Sequence, residues 1–344
     1  MRRRRLLFRA GMAVLLMAGL LVSAQSSRAD DEPEWYPGLP DATLGRWATA
    51  SQGSLSYARR AKQWFISPAG MAVADYDVID GPLDVSTGQR QQIPANGYFI
   101  SPKGAPANYG YLEPMTVRSV GFGMIPVEAT VQVSQRRENG LPVPVRVQLD
   151  ARWSPVYTIG GRTTVDFTTA DTKVSDSFNV QILAVKVDGV DLGLNGDCRT
   201  VEPAPVSMTG PGYTIKDYFR DGVGNPTYGE LTWYLEHDVS TYYHPLKGGE
   251  LTGTMTIPPF TGCTTTAGDD LSSLLTLSVS GADNPVKARS GFPCYFEKDG
   301  IPAPAPPGVS NPRLGSGHAY SPPPMNPAYC PGVKAFEYPA RSDQ

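Results

Sequence analysis

The chain has 344 residues, and its 36 Gly and 33 Pro together make about a fifth of the sequence. This density of turn-forming residues excludes a helical bundle and favours a β-rich protein with many turns. The 30 basic and 33 acidic residues give a net charge of −3, and no basic stripe with interleaved aromatic residues occurs, so nucleic-acid binding is not expected.

The first 29 residues have the pattern of a secretory signal peptide. Five Arg lie within residues 2–9, and residues 10–22 are an unbroken run of thirteen apolar or small residues. A run this short does not reach the roughly 20 residues that span a membrane, so we expect cleavage after Ala24 or Ala29 and no transmembrane anchor afterwards. The Arg-rich start also fits twin-arginine export, which is the alternative route.

Cleavage after Ala29 removes six Arg and no acidic residue, which leaves 24 basic against 33 acidic residues. The mature protein is therefore acidic. We expect it to be secreted or associated with the cell envelope.

Residues 30–115 mix aromatic residues with Gly, Pro and Ala and sustain no helical period. This composition predicts an irregular N-terminal region of loops and short strands, with a helical turn near residues 58–65, packed on the main domain.

Residues 116–294 carry the alternation of polar and apolar residues that is typical of half-buried strands. Residues 129–135 and 143–149 alternate on either side of a turn at 138–140, which predicts a hairpin. Further strands are predicted at 163–167, 178–187, 206–209, 229–236, 249–257 and 274–280. Short strands separated by turns, with no helix of ten or more residues between them, favour an all-β fold, an antiparallel β-sandwich of the Ig-like or Greek-key type.

Residues 295–344 form a Pro-rich tail, with Pro at 302, 304, 306 and 307 and again at 322–324. Pro lacks the backbone donor of a strand ladder, so we expect an extended polyproline or disordered spacer.

All four cysteines lie in the second half of the chain, at Cys198, Cys263, Cys294 and Cys330. An even number in an oxidising compartment predicts disulfides, for which three connectivities exist. We favour Cys198 with Cys263 and Cys294 with Cys330, since the second bridge would tie down the tail. No pair has CxxC spacing, and His237, His244 and His318 are not at ligand spacing with any Cys, so no metal site is expected. No cofactor is expected either.

Two stretches carry a family resemblance: LGLNGDCRT at 192–200 and GGELTGTMTIPPFTGC at 248–263, followed by Asp269-Asp270-Leu271. They resemble uncharacterised exported β-rich proteins of actinobacteria. The resemblance implies export and a β-rich fold, and it implies no activity, ligand or catalytic residue.

Aromatic and imidazole groups concentrate in residues 228–245, just before the Gly248-Gly249 turn. Such flat rings can present a surface to a sugar or an apolar chain, so this segment is the candidate ligand surface. The candidate residues are Tyr234, His237, Tyr242, Tyr243 and His244. The alternative is that these rings only close one end of the core.

No string in the sequence has the context of a nucleophile elbow, and no catalytic residue is assigned. We therefore expect a non-enzymatic exported protein of the actinobacterial cell envelope or extracellular space that binds an envelope glycan or lipid. Two alternatives stay open: a secreted hydrolase acting on glycan or ester substrates, and a purely structural wall protein. The sequence does not fix an oligomeric state.

Overall fold

The computed structural model describes residues 38–40, 43–44, 46–84, 86–121, 125–159, 162–218, 237–245, 247–296, 302–303 and 336–339. Strands account for 62% of these residues. The regular structure of the described ranges is completed by the helix α1 (Ser272–Val279) and a single-turn 3-10 helix (Val239–Thr241). The expectation of an antiparallel β-rich fold is confirmed.

The strands are, in chain order, β1 (Arg46–Ala58), β2 (Gln63–Tyr76), β3 (Ile79–Asp80), β4 (Gln89–Ile100), β5 (Met115–Gly121), β6 (Ile125–Gln135), β7 (Arg137–Glu138), β8 (Leu141–Pro142), β9 (Val145–Trp153), β10 (Tyr157–Ile159), β11 (Arg162–Thr169), β12 (Thr172–Val187), β13 (Val190–Asp191), β14 (Arg199–Thr200), β15 (Ala204–Gly210), β16 (Thr214–Tyr218), β17 (Tyr243–His244), β18 (Gly248–Ile257), β19 (Phe260–Thr261), β20 (Gly281–Phe296) and β21 (Pro302–Ala303). The longer strands pair antiparallel in the spatial order β5-β6-β12-β15-β18-β20-β1-β2-β4-β9-β11-β16.

This sheet curls until strands that are far apart in the pairing order meet. Phe99 of β4 stacks on Phe178 of β12, with ring centroids 5.6 Å apart, although five strands separate β4 from β12 in the ladder. Progressive right-handed twist lets a long antiparallel sheet close on itself in this way.

A buried amide side chain fastens the place where the curled sheet meets itself. Gln135, at the end of β6, accepts the backbone N–H of Phe99 at 2.8 Å and donates to the carbonyl oxygens of Gly97 at 3.0 Å and Val143 at 2.9 Å. Only 2% of Gln135 is exposed. The side chain therefore links β4 to β6 and to the chain that enters β9.

A second layer of chain covers the outer face of β2 and β4. Leu39 and Tyr109 pack with Val73 and Tyr98 in one buried cluster. The buried carboxylate of Asp75 accepts hydrogen bonds from the backbone N–H of Thr43 and Leu44, which fastens the segment before β1 to the sheet. The two strands are therefore covered on the side that faces away from the interior of the curl.

The disulfide between Cys198 and Cys263 is present, so this predicted pairing is confirmed. Both cysteines are fully buried in a cluster with Ile182, Ala204 and Phe260, against which α1 packs through Leu275 and Val279. Cys330 lies outside the described residues, so the pairing of Cys294 with Cys330 stays a prediction.

The structure corrects the predictions for the N-terminal region. Residues 46–100 were expected to be irregular with a helical turn near 58–65, and they form β1, β2 and β4, with a tight turn at 59–62 between the first two. β2 and β4 lack the simple alternation because the added layer covers one face and the interior of the curl covers the other. In β1 the residues that line the cavity are small or polar, which removes the same contrast.

Residues 274–280 were predicted as a strand, and residues 272–279 are the helix α1. Asp270 accepts the backbone N–H of Ser272 at 2.9 Å just before the first turn, which satisfies a donor at the helix start. Leu271, Leu275 and Val279 then recur at the four-residue spacing of one helical face.

Two other predictions need smaller corrections. The turn at 138–140 is present between β7 and β8, but β6 and β9 then diverge and pair with other strands. In the Pro-rich tail, which was expected to form no ladder, Pro302 and Ala303 form β21 and pair with Phe296 and Tyr295. Pro is tolerated there because it is the first residue of an edge strand. The strand predicted at 229–236 lies outside the described residues.

Candidate ligand-binding cavity

The curled sheet lines a partly open cavity of about 220 Å³. One wall is made of small residues from β1, β2 and β4, with larger aliphatic residues of β9 next to β4 in the same wall, and the facing wall is made of larger aliphatic residues from β12, β15 and β18. The small residues are Ala50, Ala72, Ala74, Ala95 and Gly97. The larger ones include Val145, Val147, Val174, Val206, Met208 and Leu251.

The strand registers explain why space remains between these walls. Ala50 lies opposite Ala72 in the β1–β2 pair, and Ala74 lies opposite Gly97 in the β2–β4 pair. Because side chains alternate between the two faces of a strand, small residues at every second position leave a continuous groove. In β2 the alternate residues Met71 and Val73 point to the other face of the sheet, where both are buried.

The cavity is long and narrow. Its lining follows β1 from Ala50 to Ser56, six residue steps that cover about 20 Å at the usual strand rise. Small-molecule sites usually have volumes of roughly 300–1,000 Å³, so a volume just below that range, stretched over this length, suits a thin chain better than a ring.

Pro68 lines the cavity and is exposed. It lies where Ser54 pairs with Ser67 and Gln52 pairs with Gly70, so that β2 carries an extra residue. Pro is accommodated at such a bulge because no ladder donor is required there. Met115 and Met255, both half-buried, line the cavity as well.

Uncharged polar groups lie along the β1–β2 side of the cavity. Gln52, Ser54, Ser56 and Ser67 line it, and the Nε2 atom of Gln52 is buried without a hydrogen-bond partner among the described residues. A buried donor without an acceptor is unfavourable, so a hydrogen bond from this amide to a ligand oxygen would be favourable.

Among the described residues that line the cavity, Arg289 is the single charged one. Its Nε donates to the buried carboxylate of Glu250 at 2.7 Å, and its guanidinium lies 4.0 Å from the centroid of the Phe336 ring. The charge of Arg289 is therefore already compensated by the protein.

The candidate residues 242–244 are close in sequence and differ in environment. Tyr243 lines the cavity and is hydrogen-bonded to Ser290, and burial raises its pKa to about 12. Tyr242 points to the other face, where it packs edge-on against Tyr213 in a separate aromatic cluster. Burial raises the pKa of Tyr242, and nearby Asp238 raises it further.

The two candidate histidines also differ in burial. His244 is only 4% exposed, and burial, with a smaller effect from Lys247, lowers its pKa well below the ordinary value. His237 is exposed, and Tyr234 lies outside the described residues. Of the described candidates, Tyr243 is the one that lines the cavity.

Most of the residues that form the cavity were not predicted from the sequence. Gln52 and its serine neighbours lie in a stretch that was predicted to be irregular. The alternation of large and small apolar residues in Met71-Ala72-Val73-Ala74 is the signal that marks a strand with one face toward a void.

Within the described ranges, no group of three or more His, Cys, Asp or Glu side chains is placed to hold a metal ion. In the same part of the chain, no helix has the length and apolar character needed to cross a membrane. The chain matches no family model, no curated protein and no solved structure.

Proposed function

We propose that the chain is an exported, non-enzymatic protein of the actinobacterial cell envelope or extracellular space that binds an envelope lipid by enclosing its acyl chain in the curled sheet. The observation that carries this proposal is the narrow cavity between the alanine-rich wall and the aliphatic wall. Transfer of apolar surface from water into such a space is favourable by roughly 25 cal/mol per Å².

The same cavity favours a lipid over a glycan. A sugar needs several hydrogen-bonding groups around each ring, whereas Val145, Val147, Val174 and Val206 offer none. Tyr242, which was a candidate for stacking on a sugar, is held inside an aromatic cluster and is 2% exposed. An acyl chain matches the apolar character of this lining.

Titration of the secreted form with a fluorescent fatty acid tests the proposal. We expect saturable binding that the double variant Ala72→Leu/Ala74→Leu abolishes, because the added side chains fill the groove. Ala170→Leu, at an exposed position, is the matched control and should bind normally. Equal binding by all three proteins would contradict a site in the cavity, and turnover of an ester probe would support the hydrolase alternative instead.

Export is tested separately by intact-mass analysis of protein from the culture medium. We expect a mature chain that begins at Gln25 or Asp30, because these residues follow the small residues Ala24 and Ala29. Protein that keeps Met1 and stays in the membrane fraction would contradict export.

The proposal also includes the finer architecture expected from the sequence, a β-sandwich of the Ig-like or Greek-key type. Its two layers would be the walls that face each other across the cavity, with β1, β2, β4 and β9 on one side and β12, β15, β18 and β20 on the other. An experimental structure in which the two walls keep aligned, face-to-face packing supports this description, and a round cross-section contradicts it.

A further inference from the structure

We propose that the ligand is a single-chain amphiphile whose head accepts hydrogen bonds, and that Gln52 is the residue that binds this head. The inference rests on the proposed function and specifies the ligand class of the same cavity. It starts from the buried amide Nε2 atom, which has no acceptor in the described part of the protein.

Gln52 lies at the junction of the polar and apolar parts of the cavity. In the ladders it is opposite Gly70 of β2 and Ser290 of β20, and both Gln52 and Ser290 line the cavity. Beyond it toward Pro68, Ser54 lies directly opposite Ser67. In the other direction along β2, the lining consists of Ala72 and Ala74.

This order assigns a direction to the ligand. A polar head between Gln52 and Ser67 lies beside the exposed Pro68, while the tail extends along the alanine-rich wall. Gly70 has no heavy atom within 4 Å of the position that a Cβ would take, so the space next to Gln52 on β2 is open.

The available groups select the chemistry of the head. The Gln52 amide and the serine hydroxyls donate hydrogen bonds, and the described residues that line the cavity include no Asp or Glu. Arg289 is already bound to Glu250. The unpaired Nε2 donor of Gln52 therefore favours a head with an oxygen acceptor, such as a neutral carboxyl or ester group, and an ammonium head would meet no carboxylate in this lining.

Three probes of one chain length test the inference: dodecanoic acid, dodecylamine and dodecane. Their binding to the full secreted protein is measured by displacement of a fluorescent fatty acid. We expect the acid to bind about tenfold more tightly than the amine, the difference that one satisfied hydrogen bond supports. Equal affinity for acid and amine, or tighter binding of the amine, would overturn the inference without touching the proposed function.

Gln52→Leu removes the donor at nearly constant side-chain volume. This variant should bind dodecanoic acid about tenfold more weakly and should keep its affinity for dodecane. Gln148→Leu, on an exposed side chain outside the cavity lining, is the matched control and should leave both affinities unchanged. If Gln52→Leu weakens the binding of dodecanoic acid and dodecane equally, Gln52 has a packing role and is not the residue that binds the head.

The comparison of acid and amine uses the unaltered protein, so it decides the head-group question even if Gln52→Leu does not fold. If none of the three probes binds the unaltered protein, the proposed function itself fails, and the inference fails with it. An unchanged affinity of Gln52→Leu for the acid would leave the lipid-binding proposal in place and exclude Gln52 as the residue that binds the head.

Discussion

The side chain of Gln135 accepts the backbone N–H of Phe99 at 2.8 Å, across the place where the curled sheet meets itself. The same side chain donates to the carbonyl oxygens of Gly97 and Val143, so one buried amide satisfies three backbone groups on two segments of the chain. The closed form of the sheet therefore depends on a polar residue in an apolar setting.

Gln135→Met keeps the side-chain volume and removes these hydrogen bonds. We expect the free energy of unfolding to fall by about 3 kcal/mol, because buried backbone groups lose their partners. Urea unfolding measures the change. Gln148→Met, on an exposed side chain, should change stability by no more than about 0.5 kcal/mol. Similar losses in the two variants would contradict the role of Gln135 at the closure.

Arg289→Met leaves the carboxylate of Glu250 buried without its closest cation. We expect a loss of about 3 kcal/mol in the free energy of unfolding, since an unpaired buried charge is strongly destabilising. Lys287 is the control, because it lies farther from the same carboxylate, at 3.5 Å, and its side chain is 49% exposed. Lys287→Met should cost well under about 1 kcal/mol. A larger effect of Lys287→Met in thermal unfolding would reverse this assignment.

His244 should make stability depend on pH. Burial lowers its pKa in the folded protein, whereas the unfolded chain takes up a proton below the ordinary pKa of 6.5. Above pH 6.5, the contribution of His244 to the free energy of unfolding is constant. As the pH drops below 6.5, the free energy of unfolding falls by up to about 1.4 kcal/mol per pH unit.

Melting temperatures between about pH 5 and pH 8 measure this slope for the unaltered protein and for His244→Asn. The variant should lose part of the slope. His237→Asn, at an exposed histidine, should retain it. If the slope disappears only in His237→Asn, the pH dependence comes from His237, and the prediction for His244 is wrong.

The disulfide between Cys198 and Cys263 closes a separation of 65 residues. Restriction of the unfolded chain by a loop of this size predicts that the free energy of unfolding falls by about 4 kcal/mol in Cys198→Ala/Cys263→Ala.

Non-reducing peptide mapping of the exported protein tests the second predicted pair, Cys294 with Cys330. Free thiols at both positions would refute that pair, and the measured loss in the double variant stands independently of it.

Ala74→Leu should stabilise the protein and weaken lipid binding at once. The added methyl groups fill empty space, which typically adds about 1 kcal/mol, while they occupy the path of the acyl chain. Ala170→Leu, at an exposed position, should change neither property. Calorimetry and lipid titration give the two values. A destabilised Ala74→Leu would show that the groove has no room for the larger side chain.

The strands whose polar and apolar residues alternate could be predicted from the sequence. β9 and β12 alternate clearly, and residues 143–149 and 178–187 were predicted as strands for that reason. β2 and β4 were missed because both faces of these strands are covered, which removes the contrast between polar and apolar positions. β1 was missed because its cavity-lining residues are small or polar.

The helix α1 was predicted as a strand because its sequence fits both periods. Leu275, Leu277 and Val279 alternate with Thr276 and Ser278, which is the pattern of a half-buried strand. The four-residue spacing of Leu271, Leu275 and Val279 fits one face of a helix equally well, and these three residues pack against the cluster around the disulfide. Asp270, the residue before the N-cap Leu271, accepts the N–H of Ser272 at the start of the helix.

The cavity was beyond sequence reasoning for a different reason. It exists because Ala50, Ala72, Ala74 and Gly97, from three strands, face one another in specific registers. Pairing registers depend on the whole fold. Tyr243 was identified from its aromatic neighbourhood, but the opposite orientations of Tyr242 and Tyr243 require the strand β17 to be known.

The pairing of β1 with β20 has a consequence for how the protein is made. Leu55 lies opposite Lys287, so the middle of the sheet joins the first long strand to the last one. Contacts this distant in sequence slow folding, because a long loop must close before they form. During synthesis from the N-terminus, β1 has to wait for residues 281–296 before it can pair with β20. Any product that stops short of them exposes the open edges of β1 and β18 to aggregation.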